Sequence, residues 1–193
     1  MKVFDFDNTI YSGESMVDFF HFVINKKEKY RKYSGLVDKV LFLYKHNLLP
    51  MRLVNHYIKK YSSDRLDFNI DSVYKYIDEF WKENEYKIDK EMLKKISKED
   101  VIITASLDIL LDPIKKKLKT KNIYTSEVDI DKRDIKFLCY NENKLMKYKE
   151  IYKDQIIDEL YTDSYADKPL MSISKKVFLV DKEKNTIKCI KGE

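Results

Sequence analysis

Short apolar runs that break off at a carboxylate or a hydroxyl recur three times along this chain, and they restrict its fold more than any other feature of the sequence. The first six residues, Met-Lys-Val-Phe-Asp-Phe, read as a strand that leads into Asp5-Phe6-Asp7-Asn8-Thr9. Val101-Ile102-Ile103 leads into Thr104-Ala105-Ser106, and Glu159-Leu160-Tyr161-Thr162 leads into Asp163 and Ser164. A compact apolar run such as 101–103 suits a strand buried on both faces, as in a parallel sheet covered by helices. The segments between the runs carry helical spacing. Residues 107–119 predict a helix with Pro113 as a kink or first-turn residue, 143–154 predict another, and 165–173 a short one. Ile123-Tyr124-Thr125 predicts a further strand, 127–140 a small hairpin, 177–180 a strand, and 187–190 a final strand after a turn at 182–185. Strands alternating with helices indicate an α/β chain built on a parallel sheet.

The alternation is interrupted once. From Glu14 to about Lys95 the apolar residues recur at helical spacing only. Met16, Val17, Phe19, Phe20, Val23 and Ile24 mark one face, and Leu36, Val37, Val40, Leu41 and Leu43 mark a second that ends near Asn47. Pro50 suits the first turn of a third helix carrying Leu53, Val54, Tyr57 and Ile58. Val73, Tyr74, Ile77, Phe80 and Trp81 supply a fourth, with Trp81, Phe80 and Tyr76 read as its apolar core. The expected organisation is therefore a core formed by residues 1–12 and 96–193, with an all-helical block, 13–95, inserted after the first strand.

Composition excludes several function classes. The 193 residues are 44% hydrophobic, enough for a single core. Glycine occurs only at Gly13, Gly35 and Gly192, against roughly thirteen at average usage. Neither G-x-G-x-x-G nor a Walker A loop can be assembled from these, so any phosphate is held by other means than a glycine-rich loop. The 38 Lys and Arg against 33 Asp and Glu give a net charge of +5. The lysines alternate with acids, as in Lys26-Lys27-Glu28-Lys29, which reads as solvated surface and predicts no nucleic-acid partner. The dense run Lys115-Lys116-Lys117 reads as a helix C-terminus. Cys139 and Cys189 form no C-x-x-C motif, His21, His46 and His56 share no metal-ligand spacing, and no apolar run approaches a membrane span. A soluble, cytoplasmic protein, monomeric or weakly dimeric, is expected.

In open parallel sheets, ligands sit beyond the carboxyl ends of the strands. If the three strands that end in polar groups are neighbours, Asp5, Asp7, Thr104 and Asp163 converge on one point. Asp-x-Asp recurs at Asp129 and Asp131, where a hairpin turn accounts for it, and D-x-x-x-D recurs at Asp67/Asp71, Asp108/Asp112 and Asp154/Asp158. Asp5/Asp7 and Asp163/Asp167 differ from these in standing directly after strand runs. Carboxylates crowded there repel one another unless a cation neutralises them. A hard divalent ion with oxygen ligands answers that need, and Mg²⁺ suits a site that also receives phosphate.

These motifs resemble those of the haloacid dehalogenase superfamily of phosphohydrolases. Asp5-Phe6-Asp7-Asn8-Thr9 looks like its first motif, D-x-D-x-T; Thr104 looks like its second; Lys144 in Glu142-Asn143-Lys144 looks like its third; and Asp163-Ser164-Tyr165-Ala166-Asp167 looks like its fourth. They occur in order over essentially the full chain. The helical block after the first motif resembles the C1-type cap of subfamily IB, the phosphoserine phosphatase-like subgroup, and Glu14 matches its substrate-contacting acid. The resemblance implies a Rossmann-like parallel sheet with an inserted all-helical cap, and a Mg²⁺-dependent phosphatase. Asp5 would be the nucleophile that forms an aspartyl-phosphate, and Asp7 the general acid and base. Thr104 would hydrogen-bond a phosphoryl oxygen, and Lys144 would neutralise Asp5. Asp5, the Asp7 carbonyl and Asp163 would hold Mg²⁺, supported by Asp167, while Glu14, Ala105 and Ser106 would contact the substrate, a small-molecule phosphoester. Ser106 is the alternative to Thr104 for the second-motif hydroxyl. Glu14 also reads as an acid favoured at a helix N-terminus. Arg52 and Arg65 are the candidates for a substrate-binding arginine, but neither sits in a recognisable context and both read first as surface residues.

Phosphoserine phosphatases carry Ser-Gly-Gly at the second motif and Gly-Asp-Gly at the fourth. This chain has Thr104-Ala105-Ser106 and Thr162-Asp163-Ser164, which argues against phosphoserine itself. Two alternatives stay open at this level, a phosphotransferase to an acceptor alcohol and a non-catalytic binding protein.

Overall fold

A computed structural model describes residues 1–26, 35, 39, 70–129, 131, 132 and 134–192. The apolar residues of the second and third expected helices (Leu36, Val37, Val40, Leu41 and Leu43, then Leu53, Val54, Tyr57 and Ile58), together with Pro50, Arg52, Arg65, His46 and His56, lie outside the described residues.

Among the described residues the sheet has seven strands: β1 (Lys2–Phe4), β2 (Val101–Leu107), β3 (Asn122–Asp129), β4 (Asp134–Phe137), β5 (Ile157–Thr162), β6 (Ser174–Asp181) and β7 (Thr186–Lys191). Their order across the sheet is β4-β3-β2-β1-β5-β6-β7. The five central strands are parallel. The two edges are antiparallel, β4 on β3 and β7 on β6, so the sheet is mixed and not parallel throughout. The edges come from the predicted 127–140 hairpin and from the predicted turn at 182–185, and turns this short can return the chain only antiparallel. One is the hairpin expected within 127–140: β3 runs on from its parallel pairing with β2 into it, and Asp129 Oδ1 accepts the Lys132 N–H at 3.0 Å in the turn.

β1 is only three residues long, yet it sits at the centre of the sheet between β2 and β5. Phe4 pairs with Ile102 on one side and with Tyr161 on the other. Its alternation splits the core in two. Phe4 points to a cluster with Phe6, Tyr11, Ile77, Phe80, Trp81, Ile102 and Leu110, and Val3 to a cluster with Val101, Ile103, Tyr148, Leu160 and Leu170. Burial on both faces is what the uninterrupted apolar runs require.

The helices that lie wholly among the described residues are α1 (Ser15–Lys26), α2 (Ile70–Asn84), α3 (Lys90–Lys95), α4 (Asp108–Leu111), α5 (Glu142–Tyr152) and α6 (Lys168–Ser172). In place of one helix over 107–119, α4 gives way to a 3-10 turn at Asp112–Lys117 with Pro113 in its first turn. Proline lacks the N–H that an α-helical bond would need there and fits a first turn. The run Lys115-Lys116-Lys117 closes that turn, as a basic helix end should. The predicted 165–173 helix likewise divides into a 3-10 turn, Tyr165–Asp167, and α6, which Pro169 opens.

α2 does not pack only on its helical neighbour. Phe80 meets Phe19 and Phe22 of α1 edge-on, at ring separations of 5.6 and 5.8 Å. On the next residue Trp81, 3% exposed, lies edge-on to Tyr11 and Phe6 and donates its indole N–H to the Leu110 carbonyl. The inserted helices therefore share a core with the sheet layer. Trp81→Ala should cost about 3–5 kcal/mol of folding stability. A urea titration checks this: the midpoint falls while the slope stays that of the parent.

Candidate active site

The sequence-predicted residues gather where β1, β2 and β5 end. The Asp5 N–H donates to the Tyr161 carbonyl at 2.9 Å, continuing the parallel register one residue past β1. Immediately afterwards the chain turns: the Phe6 carbonyl accepts the N–H groups of Thr9, Ile10 and Tyr11 at 3.2, 2.8 and 2.9 Å. The turn places Asn8 at φ 52°, a left-handed conformation that asparagine tolerates. Its N–H donates to the Gly13 carbonyl at 3.0 Å. Gly13 itself stands at φ 136°, and a Cβ there would lie 2.8 Å from Asp18 Oδ2, so this glycine is required. The reversal brings Ser15, the first residue of α1, back over Asp7.

Lys144 is the cation of the site. It enters from the first turn of α5, is 3% exposed, and places Nζ 3.0 Å from Asp5 Oδ1 and 2.9 Å from Asp167 Oδ1. It also donates to Asp167 Oδ2 at 3.0 Å, and the Thr162 hydroxyl donates to the same oxygen at 2.8 Å. Burial alone would lower the lysine pKa, but Asp167 and Asp5 outweigh it and hold Lys144 above the ordinary lysine range. Asp5 is the marginal anion of the group. Burial, with Asp167, Asp163 and Asp7 nearby, outweighs Lys144 and raises its pKa well above the usual carboxylate value. Asp5 Oδ1 also accepts the Phe6 N–H at 2.8 Å, whereas Oδ2 accepts from none of the described residues.

Asp7 is held separately. Oδ1 accepts the Ser15 N–H at 2.7 Å, Oδ2 accepts the Ser106 hydroxyl at 2.6 Å, and the Ser15 and Ser106 hydroxyls are 2.6 Å apart. Burial raises the Asp7 pKa against the lowering effect of these bonds. Ser106 therefore spends its hydroxyl on Asp7. Thr104, fully buried, accepts the Ser106 N–H at 3.1 Å, and its own hydroxyl proton has no acceptor among the described residues. Ala105 is tied to β3 by Ser126, whose hydroxyl donates to the Ala105 carbonyl at 2.7 Å.

Asp163 is half-buried, and burial, with Glu14 next, pushes its pKa up to about 6. The Asn8 side chain opposes that rise by hydrogen-bonding Asp163, and donates to Glu14 Oε1 at 2.9 Å. Asp5, Asp7, Thr104, Lys144, Asp163, Asp167, Glu14, Ala105 and Ser106 are thus brought to one end of the sheet. Sequence reasoning missed Ser15 and Asn8. A serine opening a helix was the available signal for the first. Tyr140 is a third addition: burial, then Asp167, raises its phenol pKa, and Glu14 adds to this.

The donor set bears on Mg²⁺. Among the described residues no three His, Cys, Asp or Glu side chains lie close enough to form a metal cage. Mg²⁺ takes one or two carboxylates and completes its shell with water and phosphate. Asp5 and Asp163, raised in pKa by burial and by other carboxylates, fit that demand.

Removing Lys144 would leave Asp5 and Asp167 buried without a counter-charge. Lys144→Ala should lower stability by about 3–5 kcal/mol, the cost of breaking a buried pair from one side. The same substitution in an Asp5→Asn, Asp167→Asn background should cost markedly less, as denaturant titrations of the four proteins would show.

A sequence model of the family described as haloacid dehalogenase-like hydrolase matches residues 3–172. No curated protein sequence matches the chain. Several solved structures share its fold. A protein of unknown function from Bordetella pertussis Tohama I is 13% identical, with a TM-score of 0.73 over 89% of this chain and 85% of that one. A phosphoserine phosphohydrolase-like protein from Francisella tularensis subsp. tularensis SCHU S4 is 17% identical, with a TM-score of 0.60 over 92% and 86% of the two chains. A phospho-aspartyl intermediate analogue of phosphoserine phosphatase is also 17% identical, with a TM-score of 0.59 over 91% and 83%. With the family model spanning the strands that carry Asp5, Thr104 and Asp163, the chain belongs to the haloacid dehalogenase-like hydrolases.

Proposed function

We propose that the protein is a Mg²⁺-dependent phosphomonoesterase that works through an aspartyl-phosphate on Asp5. The observation that carries the reading is the asymmetry of Asp5. Oδ1 is held by Lys144 and the Phe6 N–H, and Oδ2 is left open at the carboxyl end of the central strand. Likeness to a phospho-aspartyl intermediate analogue of phosphoserine phosphatase supports the same chemistry.

In the first step Asp5 attacks phosphorus, and the bond from phosphorus to the substrate oxygen breaks. Asp7 supplies the proton that this oxygen needs to leave as an alcohol. In the second step Asp7 takes a proton from water, the hydroxide attacks the aspartyl-phosphate, and Asp5 and inorganic phosphate are released. The raised pKa of Asp7 suits an acid that must hold its proton until the leaving group requires it. Thr104 donates its unspent hydroxyl to a phosphoryl oxygen, and Lys144 offsets the charge of Asp5 as the dianion approaches. Asp5, Asp163 and the Asp7 carbonyl would hold Mg²⁺, which supplies charge neutralisation for the transferring phosphoryl group.

The substrate is a small phosphomonoester. Ala105 and Ser106 stand where phosphoserine phosphatases have glycines, which argues for a leaving group other than serine. Glu14, with Asn8 between it and Asp163, faces the bound substrate. The inserted segment 13–95 acts as a C1-type cap that closes over the site and excludes water.

Hydrolysis of p-nitrophenyl phosphate tests this. Turnover should require Mg²⁺, disappear with EDTA, return on adding Mg²⁺, and be lost by more than about a thousandfold in Asp5→Asn. Activity surviving that substitution would refute the aspartyl-phosphate route.

A further inference from the structure

We infer that Ser15 and Ser106 form a positioning pair for the carboxyl group of Asp7, so that the seating of helix α1 decides where the catalytic proton is delivered. The inference rests on the phosphatase reading and adds two residues to it. Neither serine touches the reacting atoms in that reading; both act through Asp7.

The geometry is specific. Ser15 is fully buried and Ser106 is 1% exposed, so water does not compete for either hydroxyl. The Ser15 backbone N–H, 2.7 Å from Asp7 Oδ1, can only donate. Oδ1 is therefore held as an acceptor, and Oδ2, whose partner is a hydroxyl able to donate or accept, is the oxygen that can carry the proton passed to the leaving group. Ser106 reaches Oδ2 at 2.6 Å and is itself 2.6 Å from the Ser15 hydroxyl. With Oδ1 and Oδ2 each held from a different element, the carboxyl cannot rotate about its Cβ–Cγ bond without breaking two bonds.

The two elements are distant in the chain. Ser106 lies near the end of β2, in the rigid centre of the sheet, next to Thr104, whose Oγ1 accepts the Ser106 N–H at 3.1 Å. Ser15 opens α1, whose Phe19 and Phe22 pack edge-on to Phe80 of α2. The sheet thus fixes one oxygen of Asp7 and the inserted helices fix the other. Any shift of α1 moves the Ser15 N–H, and with it the direction in which Oδ2 points.

A misaligned acid matters in proportion to how much the leaving group needs its proton. The nitrophenolate leaves readily as an anion and phenolate does not, while the two aryl phosphates are nearly the same shape. The test therefore compares kcat/KM for p-nitrophenyl phosphate and phenyl phosphate, in Mg²⁺, for the parent, Ser106→Ala, Ser15→Ala and the double variant, with circular dichroism confirming the fold. Ser106→Ala should lose about tenfold more activity on phenyl phosphate than on p-nitrophenyl phosphate, the effect of one lost hydrogen bond on proton delivery. Ser15→Ala, which keeps the backbone N–H, should shift the same ratio in the same direction by less, and it decides the matter should Ser106→Ala fold poorly. Equal losses on both substrates would overturn the positioning role and leave the phosphatase reading intact. A parent protein that hydrolyses neither substrate, or an Asp5→Asn variant that hydrolyses both, would overturn the phosphatase reading and this inference with it.

Discussion

Lys144 sits buried between two carboxylates, and the rest of the site is arranged around it. A buried ammonium is costly unless it is paired and hydrogen-bonded, and here Asp5 and Asp167 surround it within 3.0 Å. The pairing also constrains distant parts of the chain. α5 must present its first turn to the end of β1, the 3-10 turn after β5 must present Asp167, and Thr162 must add its hydroxyl to Asp167. None of these can shift without exposing a charge to an apolar core. The chain of dependence is therefore electrostatic at its centre and hydrophobic at its periphery.

The imbalance of charge in the site is as informative as the pairing. Asp5, Asp7, Asp163 and Glu14 stand close to one another, and among the described residues Lys144 is the only cation paired with Asp5 or Asp167. Burial and mutual repulsion raise the pKa values of Asp5 and Asp163, so this group of carboxylates is electrostatically unfavourable on its own. A divalent cation would reverse that cost. The protein as a whole carries a net charge of +5, so the acidity is local and reflects the strand ends, not the composition.

Much of the framework was legible from residue order. The apolar run at 101–103 marked a buried strand because side chains covered on both faces leave no room for alternation. The D-x-D, lysine and D-x-x-x-D motifs were legible because each stands at a strand end or helix start. Other features were not. The antiparallel pairing of β7 on β6 depends on contacts at the sheet edge, and the division of 107–119 into a helix and a 3-10 turn was blurred because proline is compatible with both a kink and a first turn. Trp81 read as core of the inserted helices; its place against Tyr11, Phe6 and Leu110 depends on how α2 meets the sheet.

The second-motif hydroxyl shows where sequence reading stops. Thr104 and Ser106 are two residues apart on one strand, and side-chain alternation puts both on the same face, so no local rule separates them. Only the return of the chain at Ser15 does so, because it draws Ser106 into the pair that holds Asp7 and leaves the Thr104 hydroxyl unspent. By itself the sequence determined the strand ends, the carboxylates and the lysine, since these depend on neighbours within a few residues. The tertiary structure decided which oxygen of Asp5 is open, which hydroxyl is free and what anchors Asp7, since each depends on atoms brought together from segments more than ninety residues apart.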